Sequence, residues 1–236
     1  RAVSDPLGRL GRHVRGPQLG ISTLIIVVAL YFTLFLNNAF FAEVIAKSGV
    51  DGAARALLLL STAAILTSLN VLFLGLLCTR WTVKPVVSLL LVVSAAAAYN
   101  SDNYSVYFDA SMVRNVLKTD SAEAGELLTW GFFLAVLMKG VFPAVVACTV
   151  RIRRPSSLAS AVLARVLLLG VSVVVITGAA FASFDNLSSL MRNHKPVRYL
   201  ATPGNYLASI AKVVREQTRA ERGPIQVVGP DARMKP

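Results

Sequence analysis

Four polar residues whose side chains could bind a charged ligand recur at every fourth position of one short stretch. They are Ser111, Asn115, Thr119 and Glu123. In an α-helix a step of four residues turns about 400°, so the four side chains share one face. A carboxylate in such a set can pair with an ammonium group, while an amide and a hydroxyl donate to phosphate oxygens. The stripe predicts a site for a zwitterionic headgroup, with an ordinary solvated helix face as the alternative.

The helix that carries this stripe is predicted to begin directly after Asp109, a favourable N-terminal capping residue. Its apolar side is formed by Met112, Val113, Val116 and Leu117. The pattern is typical of an amphipathic helix at a membrane interface, where Arg114 and Lys118 are expected to attract an anionic lipid. A new helix start at Asp120 is the competing interpretation, and it would remove Glu123 from the stripe.

The chain around this helix is strongly apolar, with 55% hydrophobic and 15% charged residues. Soluble domains usually carry about 25% charged residues, so an ordinary soluble domain and a disordered chain are both excluded. The 236 residues contain five apolar runs, Leu19–Phe41, Ala53–Cys78, Val83–Tyr99, Leu127–Val150 and Ala159–Phe181. A run of roughly 20 such residues crosses a bilayer as a helix. The predicted fold class is an all-α membrane protein with five transmembrane helices, a periplasmic amphipathic loop helix and a C-terminal interfacial helix.

Basic residues are unequally divided between the two sets of flanking segments. One side holds nine, namely Arg1, Arg9, Arg12, Arg15, Arg80, Lys84, Arg151, Arg153 and Arg154. The short loops of the other side hold four, namely Lys47, Arg55, Arg114 and Lys118. Because cytoplasmic loops carry the excess of Lys and Arg, the N-terminus is predicted to be cytoplasmic and the C-terminus periplasmic. The net charge of +12 then indicates anionic membrane lipids as partners, and no nucleic acid.

The predicted organisation has four parts. Residues 1–18 form a cytoplasmic tail, and residues 19–184 form the five-helix domain with a periplasmic loop over 100–126. Residues 185–222 form a periplasmic interfacial or bridging segment, and residues 223–236 form a linker. Within the third part, apolar residues at helix spacing predict a helix over Asn205–Arg222, either lying on the membrane or packed against a partner domain.

Polar residues inside the apolar runs are expected to act mainly within the bundle. Lys139 lies near the middle of the fourth run, where a charge is costly, and its partner is not evident from the sequence. Pro143, one turn further on, is expected to kink that helix. Thr67, Ser68 and Asn70 are expected to form interhelical hydrogen bonds.

Catalytic and metal-binding motifs are not evident in the chain. Its two histidines, His13 and His194, are predicted to lie on opposite sides of the membrane, and its two cysteines lie in apolar runs. Neither a zinc-binding spacing nor a glycine-rich phosphate loop occurs. No catalytic residue and no cofactor is therefore predicted within this chain.

The loop helix resembles a known family. The stretch Tyr104–Glu123, with its Asp109, Asn115, Thr119 and Glu123, resembles the corresponding loop of the bacterial phosphoethanolamine–lipid A transferases, which include the colistin-resistance enzymes. Further matching features are Asn37-Asn38-x-x-Phe41, Gly140-Val-Phe-Pro143-Ala, Met191-Arg-Asn-His-Lys-Pro-Val-Arg-Tyr-Leu200 and Pro203-x-Asn205-Tyr206. The resemblance covers roughly residues 20–232.

This resemblance implies a bacterial inner-membrane domain with five helices, joined in the family to a periplasmic catalytic domain that carries zinc and a threonine nucleophile. It implies phosphatidylethanolamine as donor, lipid A as acceptor and a link to polymyxin resistance. It also implies that Asn115, Thr119 and Glu123 contact the lipid headgroup. Because the sequence stops at Pro236, zinc is expected in a catalytic domain absent from it, and this chain alone is expected to be inactive.

Three other interpretations stay open at this point. A phosphoglycerol-type transferase of the same superfamily would use a donor without an ammonium group, which does not require Glu123. A small transporter subunit would explain Lys139 and Pro143, although five helices without an inverted repeat argue against it. A purely structural membrane anchor would make the polar stripe dispensable.

Overall fold

The computed structural model describes residues 18–118 and 128–222. Its helices are α1 (Ile21–Phe35), α2 (Asn38–Ser48), α3 (Gly52–Leu77), α4 (Val83–Tyr104), α5 (Ala110–Lys118), α6 (Trp130–Thr149), α7 (Leu158–Ala182), α8 (Phe184–Asn193) and α9 (Gly204–Arg222). A 3₁₀ helix, Lys195–Leu200, precedes α9. Two short strands, β1 (Gln18–Leu19) and β2 (Arg151–Ile152), pair in parallel.

Four of these helices, α3, α4, α6 and α7, are long and apolar enough to cross a membrane. Helices α1 and α2 are together long and apolar enough for a fifth span in the described ranges, although they meet at a bend of 56°. The predicted all-α membrane class is confirmed. The first apolar run, however, is not the straight helix over Leu19–Phe41 that was predicted, since the helix breaks at Leu36–Asn37 and resumes through Ser48.

Helix α4 is longer than predicted. The polar loop was expected from residue 100, but the helix continues to Tyr104 and ends at Ser105, whose φ is 51°. Two asparagines support the extra turn, since Asn100 Nδ2 donates to the carbonyl of Ala96 and Asn103 Nδ2 to that of Tyr99. Both amide groups are therefore paired within the last turns of α4.

The bundle is organised around α3 and α4. Helix α3 packs along α1 and α7, and α4 packs along α6. The core between them is built from fully buried side chains such as Phe32, Leu36, Leu74 and Leu91. Along α7 only Ser172 is buried. Apart from the side that contacts α3, this helix is apolar and exposed, as a lipid-facing helix is.

The shorter helices gather at the end of the bundle where α3 begins and α4 ends, which we call the loop end. There α2, α8 and the 3₁₀ helix share a second core with the start of α3. Its buried members are Phe40, Val44, Leu58, Leu66, Leu190, Val197 and Leu200. This core holds the polypeptide that leads into α9 against the membrane helices.

Lys139 and Pro143 shape the middle of α6. Instead of a simple kink, residues Leu137–Val141 form a π-helical turn directly before the proline. Pro143 has no N–H to donate to the carbonyl four residues earlier, which belongs to Lys139. The hydroxyl of Tyr31 on α1 donates to that carbonyl at 2.9 Å, so a neighbouring helix satisfies the orphaned acceptor.

Lys139 also has a partner that sequence analysis did not identify. Its Nζ lies 3.7 Å from Asp102 Oδ2 at the end of α4. The other oxygen of Asp102 accepts the backbone N–H of Ala39 at 3.0 Å. The charge inside α6 is therefore offset by a carboxylate that also fixes the start of α2.

Candidate functional site

Helix α5, which carries the polar stripe, begins as predicted directly after Asp109. The carboxylate of Asp109 accepts the backbone N–H of Met112 at 2.8 Å and the hydroxyl of Ser111 at 2.6 Å. These two hydrogen bonds lower the pKa of Asp109 below its ordinary value, with the Ser111 hydroxyl as the largest cause. Ser111, the first residue of the stripe, therefore takes part in capping its own helix.

Removing this cap is expected to loosen α5. Asp109→Ala should cost about 1 kcal/mol of local stability, which raises amide exchange along α5 roughly fivefold. Asp109→Asn should retain most of the cap, because an amide oxygen still accepts the Met112 N–H. The folded-state pKa is lowered, so the ionised cap is fully present above the ordinary carboxyl pKa and is lost as pH falls through the lowered value. Hydrogen–deuterium exchange of α5 measures both effects, and equal exchange in the alanine variant would contradict them.

Helix α5 is held in place by α9. Ala110 and Val113 form a small buried cluster with Val213. The guanidinium of Arg114 lies 2.6 Å from a carboxylate oxygen of Glu216. Because both side chains of this ion pair are nearly half exposed, it orients the two helices more than it stabilises them. Arg114 was expected to attract an anionic lipid, and Glu216 competes with such a lipid for its charge.

The connection before α5 is tied to α9 as well. The hydroxyl of Ser209 on α9 donates to the carbonyl of Phe108 at 2.8 Å. The N–H of Phe108 in turn donates to the carbonyl of Tyr199 in the 3₁₀ helix at 3.3 Å. The segment that leads into α5 is therefore held by the 3₁₀ helix and α9, which lie about 90 to 100 residues further along the chain.

Asn115 lies on the outer side of α5. It follows Val113 by two residues, which is about 200° around the helix, and so lies opposite the side that contacts α9. Its side chain is exposed. Of the predicted headgroup residues, the structure thus places Asn115 on a presented face, whereas Thr119 and Glu123 lie outside the described residues and stay predictions.

The start of α9 is inserted between the membrane helices. Asn37, which is 2% exposed, donates to the carbonyl of Thr202 at 2.9 Å and accepts the N–H of Thr202 at 2.8 Å. Four residues further on, the Tyr206 hydroxyl lies 2.9 Å from Ser94 Oγ on α4. Burial raises the pKa of Tyr206 to about 12, while the hydrogen bond to Ser94 opposes part of that rise.

The packing of α9 adds contacts that sequence analysis missed. Helix α9 spans Gly204–Arg222, close to the predicted Asn205–Arg222, but it does not simply lie on a surface. Of its apolar residues, Tyr206 and Val213 are buried, and Ile210 and Val214 are exposed. Asn37 was noted only as part of the family resemblance, and its pairing with Thr202 carries no local sequence signal.

Metal binding has little support in the part of the chain that the structure describes. Among residues 18–118 and 128–222, no group of three or more His, Cys, Asp or Glu side chains could hold an ion. These residues do not fit the zinc that the family resemblance implies, and zinc remains a prediction for a catalytic domain.

Comparisons with known proteins point to one family. Residues 66–218 match the family model described as phosphoethanolamine transferase EptA/EptB. Phosphoethanolamine transferase EptA of Escherichia coli K12 is 30% identical over 227 residues, which is 96% of this chain and 41% of that protein. Phosphatidylethanolamine transferase Mcr-2 of E. coli is 27% identical over 202 residues, which is 86% of this chain and 37% of that protein.

A solved structure gives the same result. The lipooligosaccharide phosphoethanolamine transferase A of Neisseria meningitidis, an integral membrane protein, superposes with a TM-score of 0.80 at 31% identity. The match covers 86% of this chain and 38% of that one. The chain therefore spans about two fifths of the length of the relatives it matches.

Proposed function

The chain belongs to the EptA/EptB phosphoethanolamine transferase family, whose N-terminal membrane domain it matches, and we propose that it presents the donor lipid for phosphoethanolamine transfer. The donor is phosphatidylethanolamine, and the acceptor is lipid A. In this proposal the domain also anchors a soluble catalytic domain, to which the zinc belongs. No residue of this chain is assigned a catalytic role.

The observation that carries the proposal is the placement of Asn115. Helix α5 is fixed by the Asp109 cap, the contact with Val213 and the Arg114–Glu216 pair. In this position Asn115 faces away from the bundle. An amide in this position donates to a phosphate oxygen of a headgroup. Thr119 would add a hydroxyl, and Glu123 would pair with the ammonium.

The proposed orientation places the loop end at the outer leaflet, with the N-terminus cytoplasmic and the C-terminus periplasmic. It rests on the excess of basic residues in the short flanking segments at the opposite end of the bundle, nine against four in the short loops of the loop end. Arg80 lies there between α3 and α4, and Lys84 lies in the first turn of α4. The segment between α6 and α7 adds Arg151, Arg153 and Arg154. This arrangement puts α5 at the leaflet where lipid A receives its modification in this proposal.

Substitution of Asn115 tests the proposal. A hydrogen bond to a charged group contributes about 1.5–3 kcal/mol, so Asn115→Ala in the complete protein should lower transfer roughly tenfold to a hundredfold. The measurement is mass spectrometry of lipid A from cells in which the variant reaches wild-type levels in the membrane. Asn103→Ala is the matched control, because within the described part of the chain its exposed side chain bonds only to the carbonyl of Tyr99.

Two outcomes would contradict the proposal. Unchanged lipid A modification in Asn115→Ala would favour a purely structural anchor. The phosphoglycerol-type alternative would be favoured if phosphatidylglycerol competed with phosphatidylethanolamine as donor and phosphoglycerol were transferred.

A further inference from the structure

A cavity of about 610 Å³ opens beside α3, away from the polar face of α5. On the other side it is bounded by the segment that joins the 3₁₀ helix to α9. Its walls are mainly apolar, and include Leu66, Leu69, Phe73, Pro203 and Leu207. The side chain of Leu69 is 48% exposed, as expected for a wall that borders lipid. From Leu66 to Phe73 the cavity follows α3 for about 10 Å, a length suited to part of an acyl chain.

One buried polar group in this wall has no partner. Asn70 is 5% exposed, and its Nδ2 has no hydrogen-bond acceptor among the residues that the structure describes. The interhelical hydrogen bond expected for it is therefore not made by that atom, whereas neighbouring Thr67 bonds to Thr33 of α1 at 2.9 Å. A buried donor without an acceptor destabilises the fold. An ester carbonyl of a bound lipid would supply the acceptor.

The rim of the cavity is basic. Arg198 is exposed there, with its guanidinium 4.9 Å from the ring centre of Tyr199 and an N–H donated to the Tyr199 hydroxyl at 3.0 Å. Among the described side chains, those of residues 18–117 and 128–219, no carboxylate lies within ion-pair distance of Arg198. Lys195, three residues earlier, shares the same side of the 3₁₀ helix. Arg198 therefore stands at the opening of the apolar cavity, and Lys195 adds a second cation on the same side of the 3₁₀ helix.

We propose that this cavity binds one anionic diacyl phospholipid of the phosphatidylglycerol type. An acyl chain fills the apolar part, an ester carbonyl accepts from Asn70, and the phosphate pairs with Arg198 and Lys195. A zwitterionic phospholipid is disfavoured, because its ammonium group would face Arg198 and Lys195, which have no acidic partner among the described side chains. The site uses none of the α5 residues and does not depend on the proposed donor function.

Native mass spectrometry tests this site. The complete protein is reconstituted in nanodiscs that contain equal amounts of phosphatidylglycerol and phosphatidylethanolamine, and it is then released in mild detergent. We expect phosphatidylglycerol to be retained over phosphatidylethanolamine roughly fivefold or more, since a charge-assisted hydrogen bond contributes at least about 1 kcal/mol. Arg198→Gln should reduce that retention by a similar factor. Leu69→Trp should reduce it by filling the cavity from its exposed wall.

Leu76→Trp is the matched control, because Leu76 lies seven residues further along α3, is 70% exposed and does not line the cavity. It should retain lipid like the wild type, and an equal loss would place the lipid elsewhere on the surface and overturn the proposal. Equal retention of both phospholipids, or no effect of either Arg198→Gln or Leu69→Trp, would also overturn it. A loss in Asn115→Ala would place the lipid on α5 instead. Thermal melting of each variant confirms that the compared proteins are folded.

Discussion

Gly140→Leu is expected to destabilise the bundle by about 3 kcal/mol, the upper end of the usual cost of overpacking. Gly140 lies in the π-helical turn of α6, against α4. A Cβ atom at this position would stand 2.9 Å from Ala95 Cβ, 3.1 Å from Val92 Cα and 3.2 Å from the Leu91 carbonyl oxygen. Two of these atoms belong to the backbone, so a side chain can fit only if α4 and α6 separate.

The measurement is the denaturant or thermal unfolding of the purified protein in detergent, with the same substitution at Gly170 as a matched control. Gly170 lies on lipid-facing α7, and a Cβ added there meets no atom within 4 Å. Gly170→Leu should leave stability unchanged or slightly increased, because leucine favours helix more than glycine does. Equal stability of the two variants would show that α4 and α6 are not packed as closely as described.

Asn37→Leu is expected to cost about 3 kcal/mol or more, although leucine is similar in size and more apolar. The Asn37 amide donates to the carbonyls of Phe32 and Thr202, and its oxygen accepts the N–H of Thr202. Leucine leaves the N–H and the carbonyl of Thr202 without these partners, and each such buried group costs about 1–3 kcal/mol. The Phe32 carbonyl still accepts the N–H of Leu36. The start of α9 should then detach from the bundle before the helices unfold.

Two readouts separate this local loss from global unfolding. The thermal midpoint reports overall stability, and a fluorophore attached near the start of α9, at Ala208, reports its release. Asn193→Ala is the control, since the side chain of Asn193 is exposed and, among the described residues, bonds only to Ser189. If release of α9 in Asn37→Leu occurs at the same temperature as in the control, Asn37 does not hold this segment.

The features that sequence analysis predicted correctly depend on residues close together in the chain. Hydropathy predicted the membrane helices, because crossing a bilayer constrains about 20 consecutive residues at once. The cap at Asp109 followed from a rule that involves only the next three residues. Helix α9 was predicted within one residue at its start from the spacing of its apolar side chains.

The features that were missed depend on residues far apart. The break at Leu36–Asn37 is stabilised by Thr202, and the charge of Lys139 is paired with Asp102 on a different helix. Neither partner stands at a spacing that a single helix would reveal. The unpartnered amide of Asn70 is likewise visible only once the surrounding helices are in place.

The bond between Asn37 and Thr202 has a consequence for how the protein is made. The two residues are 165 positions apart, and synthesis proceeds at about 5–20 residues per second, so the partner of Asn37 is translated about 10–30 s after it. During that interval α1 and α2 enter the membrane with a buried amide that lacks its final acceptor. The bend between α1 and α2 is therefore completed late, when the segment around Thr202 has been translated. Most helices of the bundle are synthesised before α1 reaches its final form.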